Sequence, residues 1–278
     1  MTSLALIDGW PPAARAAGVL VDGELVDERG DARTPLRWAS VTKLVTGLAA
    51  LVAVERGRVC LHDAAGPPDS TVRHLLAHAS GLDFASPTVR AAPGERRIYS
   101  NAGYEALAEV VSAAVGLSFD RWLADTVTGP LGMEATILDG SPAAGMVGPL
   151  VDLVVVAKEL ACPTLVSGAS ASTMRAVAFP GLGGLLPGFG FQPANDWGLG
   201  PEVRGRKAPH WTGTTNSVST FGHFGASGAF LWIDPVQGVA CAALTATDFG
   251  PWAREAWPAL SDAVLTQWGS AIPVIPPP

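Results

Sequence analysis

Three short patterns place nucleophilic, basic and hydrogen-bonding side chains at spacings that chemistry can use. The first is Ser40-Val41-Thr42-Lys43. At the start of a helix, a separation of three puts hydroxyl and amine on one face. The unpaired N–H groups and positive pole of a helix start favour a developing oxyanion. They disfavour an ammonium, as burial does, so Lys43 should shed its proton easily. A neutral amine one turn away can take the Ser40 proton and make the serine a nucleophile. The plainer alternative is an N-cap serine followed by a surface lysine. The second pattern is Tyr99-Ser100-Asn101, which uses one of only two tyrosines. A phenol near Ser40 and Lys43 would pass a proton to a leaving group. Asn101 would hold a substrate carbonyl and orient Lys43. The alternative is a half-buried tyrosine ahead of a turn-forming Ser-Asn pair. The third is His223-Phe224-Gly225-Ala226. A glycine at a strand edge lets a substrate backbone approach closely. The Ala226 N–H would then join the Ser40 N–H as a second oxyanion donor. With five histidines and 32 glycines in the chain, His-x-Gly is the weakest of the three taken alone.

These residues need elements to hold them. Ser40 opens an Ala- and Leu-rich segment to about Glu55, with Gly57 as its stop. Thr71–Ala79, Ala102–Val115 and Phe119–Thr126 read as helices, with Gly116 between the last two. Residues 18–26 read as two short strands around Asp22-Gly23. Gly228–Asp234 and Gly238–Thr245 read as a pair joined by a turn, with the His223 motif just ahead of it. Pro180–Trp197 is rich in Gly and Pro and reads as irregular, a rim or lid over a site. Trp252–Trp268 is a closing helix, with a restart allowed at Pro258. Residues 271–278 form a proline-rich tail expected to be disordered. Strands at both ends with helices between them suggest one sheet built from both termini and a helical insertion.

The bulk numbers exclude several classes. The chain has 278 residues, 48% hydrophobic and 15% charged, enough apolar surface for a large core. A net charge of -7 argues against a nucleic-acid partner and gives no attraction to an anionic membrane. No apolar run is both long enough and free enough of charge to span a bilayer. The N-terminus has no basic region, and Asp8 breaks its apolar run, so a cytoplasmic protein is expected. Cys60, Cys162 and Cys241 are odd in number and widely spaced, which reads as free core thiols. His74 and His78 have an i, i+4 spacing that suits zinc, but no third ligand or general base accompanies them. Helix capping and packing is the expected use of both. The run Gly225-Ala226-Ser227-Gly228-Ala229 fails as a nucleophile elbow, because Ala229 stands where the second glycine belongs. Trp197, Trp211 and Trp252 are candidates to line a cleft. No metal or organic cofactor is expected.

Taken together and in order, Ser-x-x-Lys, Tyr-x-Asn and His-x-Gly resemble the signatures of serine β-lactamases and penicillin-binding proteins. The flanks resemble the class C β-lactamase-related branch: Trp38-Ala39 before Ser40, His78-Ala79-Ser80-Gly81-Leu82, Pro130-Leu131-Gly132-Met133, Trp197-Gly198-Leu199-Gly200 and Leu231-Trp232-Ile233-Asp234-Pro235. The resemblance covers about Gly18 to Thr245. It implies an α/β (α+β) fold of β-lactamase/transpeptidase type. An antiparallel sheet domain over 1–68 and 146–270 would carry a small helical subdomain over 69–145. It implies Ser40 as nucleophile, Lys43 and Tyr99 as proton carriers, and Asn101, His223, Gly225 and the Ala226 N–H as the substrate-binding and oxyanion set. A small-molecule ester, amide or peptide would be the substrate. Three departures from the family pattern bear on which one. His223 replaces the lysine of β-lactamases proper, and Phe224 stands where a small hydroxyl residue is usual, adding bulk at the strand. The chain is also short, with a trimmed segment between Lys43 and Tyr99. The histidine is more like the carboxypeptidase and aminopeptidase branch, and all three departures weaken the β-lactamase reading and favour a small or apolar ester or amide. An esterase or peptidase-like amidase is therefore expected, with a true β-lactamase or penicillin-binding carboxypeptidase as the alternative. A catalytically silent binding relative is the third reading.

Overall fold

A computed structural model describes residues 2–270, so the expected tail from residue 271 lies outside the described residues. After a 3₁₀ turn over Ser3–Gly9, β1 (Arg15–Val21) and β2 (Glu24–Gly30) form a hairpin. Asp22 and Gly23 join them at φ 50° and 81°, the doubly positive geometry that suits a two-residue hairpin turn. β3 (Leu36–Arg37) leads to a 3₁₀ turn at Ala39–Val41 and into α1 (Thr42–Glu55). Every residue of α1 from Thr42 to Ala53 is buried, so it is a central helix without a solvent face.

The helical part follows as α2 (Val72–Leu76), α3 (Asn101–Val115) and α4 (Phe119–Leu123), the last running into a π turn at Ala124–Thr128. Ser100 caps α3 by accepting from Gly103 N–H at 2.9 Å, and Gly116 ends it at φ 73°. β5 (Met146–Gly148) pairs with β4 (Ile137–Leu138) on one side and β3 on the other in a small sheet. α5 (Leu150–Ala161) and α6 (Gly168–Arg175) come next. The stretch expected to be irregular, 180–197, instead contains a hairpin of β6 (Gly184–Leu186) and β7 (Gly190–Gln192). Its glycines serve the turn and a close approach to Arg97 rather than disorder. The chain closes with β8 (Glu202–Val203), β9 (Phe221–Phe224), β10 (Phe230–Asp234), β11 (Val239–Thr245) and α7 (Pro251–Trp268). α7 passes through Pro258 without a break.

The main sheet is antiparallel in the order β2-β1-β11-β10-β9-β8, so both chain ends meet at its centre. Its side chains alternate between two cores. Leu20, Leu231, Ile233, Ala242 and Leu244 join the large cluster with α1, α3 and α5. Val19, Phe230, Trp232, Cys241 and Ala243 join an aromatic cluster under α7 and the N-terminal turn. A period of two assigns each residue to one side or the other. On β9 the same rule sends Phe221 to the first cluster and Phe224 to the second. The bulk expected of Phe224 at the substrate strand is therefore absent: its ring packs against Phe249 and Trp257 at 5.2 and 5.7 Å. Of the three thiols expected in the core, only Cys241 is buried; Cys60 and Cys162 are exposed. No described helix is long and apolar enough to cross a membrane.

Candidate active site

Ser40 lies in the 3₁₀ turn ahead of α1, and Lys43 lies one turn on. Trp38 seats this turn, its backbone N–H donating to Met146 O at 2.9 Å and its Nε1 to Gly148 O at 3.0 Å. Ala39 is held at φ 45°, a left-handed conformation that alanine adopts at a cost and that turns the next residue outward. Ser40 does not cap the helix. The N-cap position falls to Val41, without a side-chain bond, and Ser40 Oγ instead meets Lys43 Nζ at 3.3 Å.

Lys43 is fully buried. Its Nζ donates to Asn101 Oδ1 at 2.6 Å and to Ala143 O at 2.9 Å. Burial pushes its pKa well below the usual lysine range, and the more distant charge of Glu105 only partly opposes this. A neutral amine has two N–H donors and one lone pair. In that form Asn101 and Ala143 take the two donors, which leaves the lone pair for the Ser40 hydroxyl; in the charged form the third N–H donates to Ser40 Oγ.

Tyr99 reaches the same point from the segment before α3. Its ring lies 4.7 Å from Lys43 Nζ, and its hydroxyl meets His223 Nε2 at 3.3 Å. Burial raises its pKa above the ordinary phenol value, with the Ser40 hydroxyl pulling the other way. His223 Nδ1 lies 2.7 Å from Phe224 O. A carbonyl only accepts, so Nδ1 carries the proton and Nε2 accepts from Tyr99. Burial, the largest cause, lowers His223 to about 3, so it is neutral near pH 7.

Gly225 presses the end of β9 onto the nucleophile turn. A Cβ there would lie 2.3 Å from Trp38 O and 3.2 Å from Ser40 N, so no other residue permits the approach. Ala226 follows, exposed. Its carbonyl accepts from Phe249 N–H at 2.8 Å, while its own N–H meets no acceptor among the described residues. Lys43 thus bonds Ser40 and Asn101, Tyr99 bonds His223 and lies over Lys43, and Gly225 sits against the Ser40 turn with Ala226 next to it.

Several neighbours lacked a readable signal. Ala143 contributes a backbone carbonyl, which no residue type announces. Arg97 anchors the Tyr99 segment from within, donating to the carbonyls of Asn195, Ala77 and Ala178 at 3.0, 2.6 and 2.8 Å. His78 accepts from Ser100 N–H at 3.1 Å and packs against Tyr99 at 4.5 Å, while His74 Nδ1 caps α2 at Thr71. Their i, i+4 spacing therefore serves two local tasks, and among the described residues no group of metal-binding side chains forms. Trp197 is a buried floor under Tyr99, His78 and His223. Trp211 belongs to the aromatic core and donates to Glu202 Oε2, and Trp252 packs on Trp10. Neither lines the cleft. Glu202 is buried with Lys207 and His210 at 3.0 and 2.9 Å. Burial would raise its pKa, but these partners hold it below the usual carboxylate range.

Comparison with known proteins finds the same fold and family. In a curated relative, a D-alanyl-D-alanine-carboxypeptidase/endopeptidase of Escherichia coli strain K12, 177 residues align at 28% identity, covering 50% of this chain and 46% of that protein. The chain spans about half the length of that relative. A crystal structure of a β-lactamase from Mycobacterium bovis superposes with a TM-score of 0.95 at 49% identity, covering 97% of this chain and all of the other. A hydrolase with promiscuous acyltransferase activity shares the fold at a TM-score of 0.79 and 18% identity over 94% of this chain and 97% of its own. The family model described as Beta-lactamase matches residues 13–265. With that span matched from the first strand into the last helix, the chain belongs to the β-lactamase family of hydrolases.

Proposed function

We infer that the protein is a serine acyl hydrolase that works through an acyl-enzyme on Ser40, with esters or simple amides as substrates. The observation that carries this reading is the ligand set of Lys43. Two acceptors occupy its N–H groups and its burial disfavours the charged form, so its lone pair is free for the Ser40 proton. Ser40 Oγ attacks the substrate carbonyl as Lys43 takes that proton. The Ser40 and Ala226 N–H groups stabilise the oxyanion. Tyr99, kept protonated by burial, hands a proton to the departing oxygen or nitrogen. Lys43 restores it, the pair titrating as one unit. Water then repeats the sequence and frees the acid.

The neutral His223 supports an ester or simple amide over a β-lactam or a peptide C-terminus. It brings no positive charge to the substrate strand where a carboxylate would need one. Exposed, unpaired Cys60 and Cys162 suit a reducing, cytoplasmic setting. Treatment with a fluorophosphonate should add one adduct mass to the intact protein, and Ser40→Ala should abolish it. An adduct persisting in that variant removes Ser40 from the role. Turnover should appear on p-nitrophenyl esters ahead of nitrocefin; the reverse order would favour the β-lactamase reading.

A further inference from the structure

Three of the large apolar side chains left in solvent stand together. Phe84 is 50% exposed, Leu185 66% and Phe191 65%. With Ile98, Tyr99 and Pro187 they line a cleft of about 780 Å³. Single exposed apolar residues are ordinary, whereas a concave group of them marks a binding surface. Both walls are tied to the segment that carries Tyr99. Asn101 N–H donates to Phe84 O at 2.7 Å, and Ser100 Oγ to Asp83 O at 2.6 Å. On the other side Arg97 N–H donates to Gly183 O at 2.9 Å. A Cβ on Gly184 would lie 2.2 Å from Arg97 O, so glycine is required for that hairpin to seat. The cleft is therefore preformed, and a ligand need not order its walls.

Tyr99 joins this cleft to the reaction centre. Its ring forms part of the cleft, while its hydroxyl faces His223 and Ser40. A group that receives its proton from Tyr99 departs on the Tyr99 side. The cleft offers nothing to an ammonium, because Asp83 is taken by Arg90 at 2.8 Å and its other charged lining residues, Arg96 and Arg97, are cations whose guanidinium groups donate to backbone carbonyls. We propose that the cleft between Phe84 and the β6–β7 hairpin holds a neutral alkyl leaving group, so that esters of medium-chain alcohols are the substrate class. This rests on the acyl-transfer reading above. The Ser40 oxygen displaces the alkoxide to give acyl-Ser40, the alcohol leaves with the proton from Tyr99, and water then releases the carboxylic acid.

The test is a series of alkyl acetates from ethyl to octyl, followed by pH-stat with the full chain. All members share one acetyl-enzyme, so the alcohol alone varies. The expected result is kcat/KM rising by up to about fourfold per methylene until the cleft is full. The gain should sit mainly in KM, because the alkyl chain is held alike in ground and transition states. Leu185→Ser and Phe191→Ser should each cut the octyl-to-ethyl ratio several-fold; a ratio is unaffected by a general loss of activity. Two results overturn the proposal while leaving acyl transfer intact. One is turnover of ethyl acetate with no gain along the series. The other is a gain with acyl length in p-nitrophenyl esters that Leu185→Ser erases, which would make the cleft an acyl pocket. Absence of Ser40 labelling together with absence of all turnover overturns both readings.

Discussion

His223 and Phe224 are neighbours on β9 and occupy opposite environments. His223 lies on the side of the reaction centre, where its imidazole meets the Tyr99 phenol and the buried Lys43 amine bonds Ser40 and Asn101. Phe224 faces α7, where Phe249, Trp257 and Trp211 pack ring against ring with no charge among them. Both sides are almost equally dry, and the difference lies in what dryness does to each. For aromatic rings, exclusion of water is the stabilising effect itself. For Lys43 and His223 it penalises the charged forms and depresses both pKa values. Dryness on the His223 side of the sheet thus disfavours the charged form of an amine placed beside a serine.

That division of labour can be broken experimentally. Lys43→Met removes the base while keeping the volume, and kcat/KM on a p-nitrophenyl ester should fall by about 10²–10⁴. Its melting temperature should stay within about 4 °C of the parent, because two orphaned acceptors are offset by no longer having to neutralise a buried amine. A large loss of stability would mean that Lys43 is a structural post. Trp257→Ala should do the reverse. Denaturant titration should show a loss of about 3–5 kcal/mol, while kcat/KM per labelled site stays within a few-fold. A comparable loss of activity would mean that the two cores are coupled.

The smallest expected effect is on pH dependence. His223 has a folded pKa of about 3 against an ordinary value near 6.5. Between these, the unfolded chain takes up a proton that the native site refuses, so stability falls as pH falls through this window. The contribution lost between pH 7 and pH 5 is about 2 kcal/mol. His223→Asn should lessen the fall, read as denaturation midpoints at the two pH values. An unchanged pH slope would show that the buried imidazole is more readily protonated than its surroundings allow. The other buried histidines, His78 and His210, shift in the same direction, which is why the comparison must be made against the parent.

The elements legible beforehand were those with local punctuation. Asp22-Gly23 marked the first hairpin, Gly116 the end of α3, and the turn before Gly238 the β10–β11 pair. α5 was visible only as an apolar stretch, because its valines favour a strand locally and only packing on the sheet makes the segment helical. The β6–β7 hairpin was hidden for a related reason. Its glycines look like loop residues until Arg97 is set against them. The Phe224 error came from treating a motif as a line of text, whereas a strand points successive residues to opposite faces.

The order and spacing of Ser40, Lys43, Tyr99, Asn101 and His223 were enough to carry the family resemblance and, through it, the proposal of acyl transfer at Ser40, because residue type sets which atoms can give or take a proton, and a helix turn sets the distance between the first two. Folding alone could settle the rest: the Ala143 carbonyl among the lysine's partners, the depth that pushes the Lys43 and His223 pKa values down, and the cleft beside Tyr99. Each of these depends on contacts between residues far apart in the chain. Burial and backbone direction belong to the assembled molecule and to no single position in it.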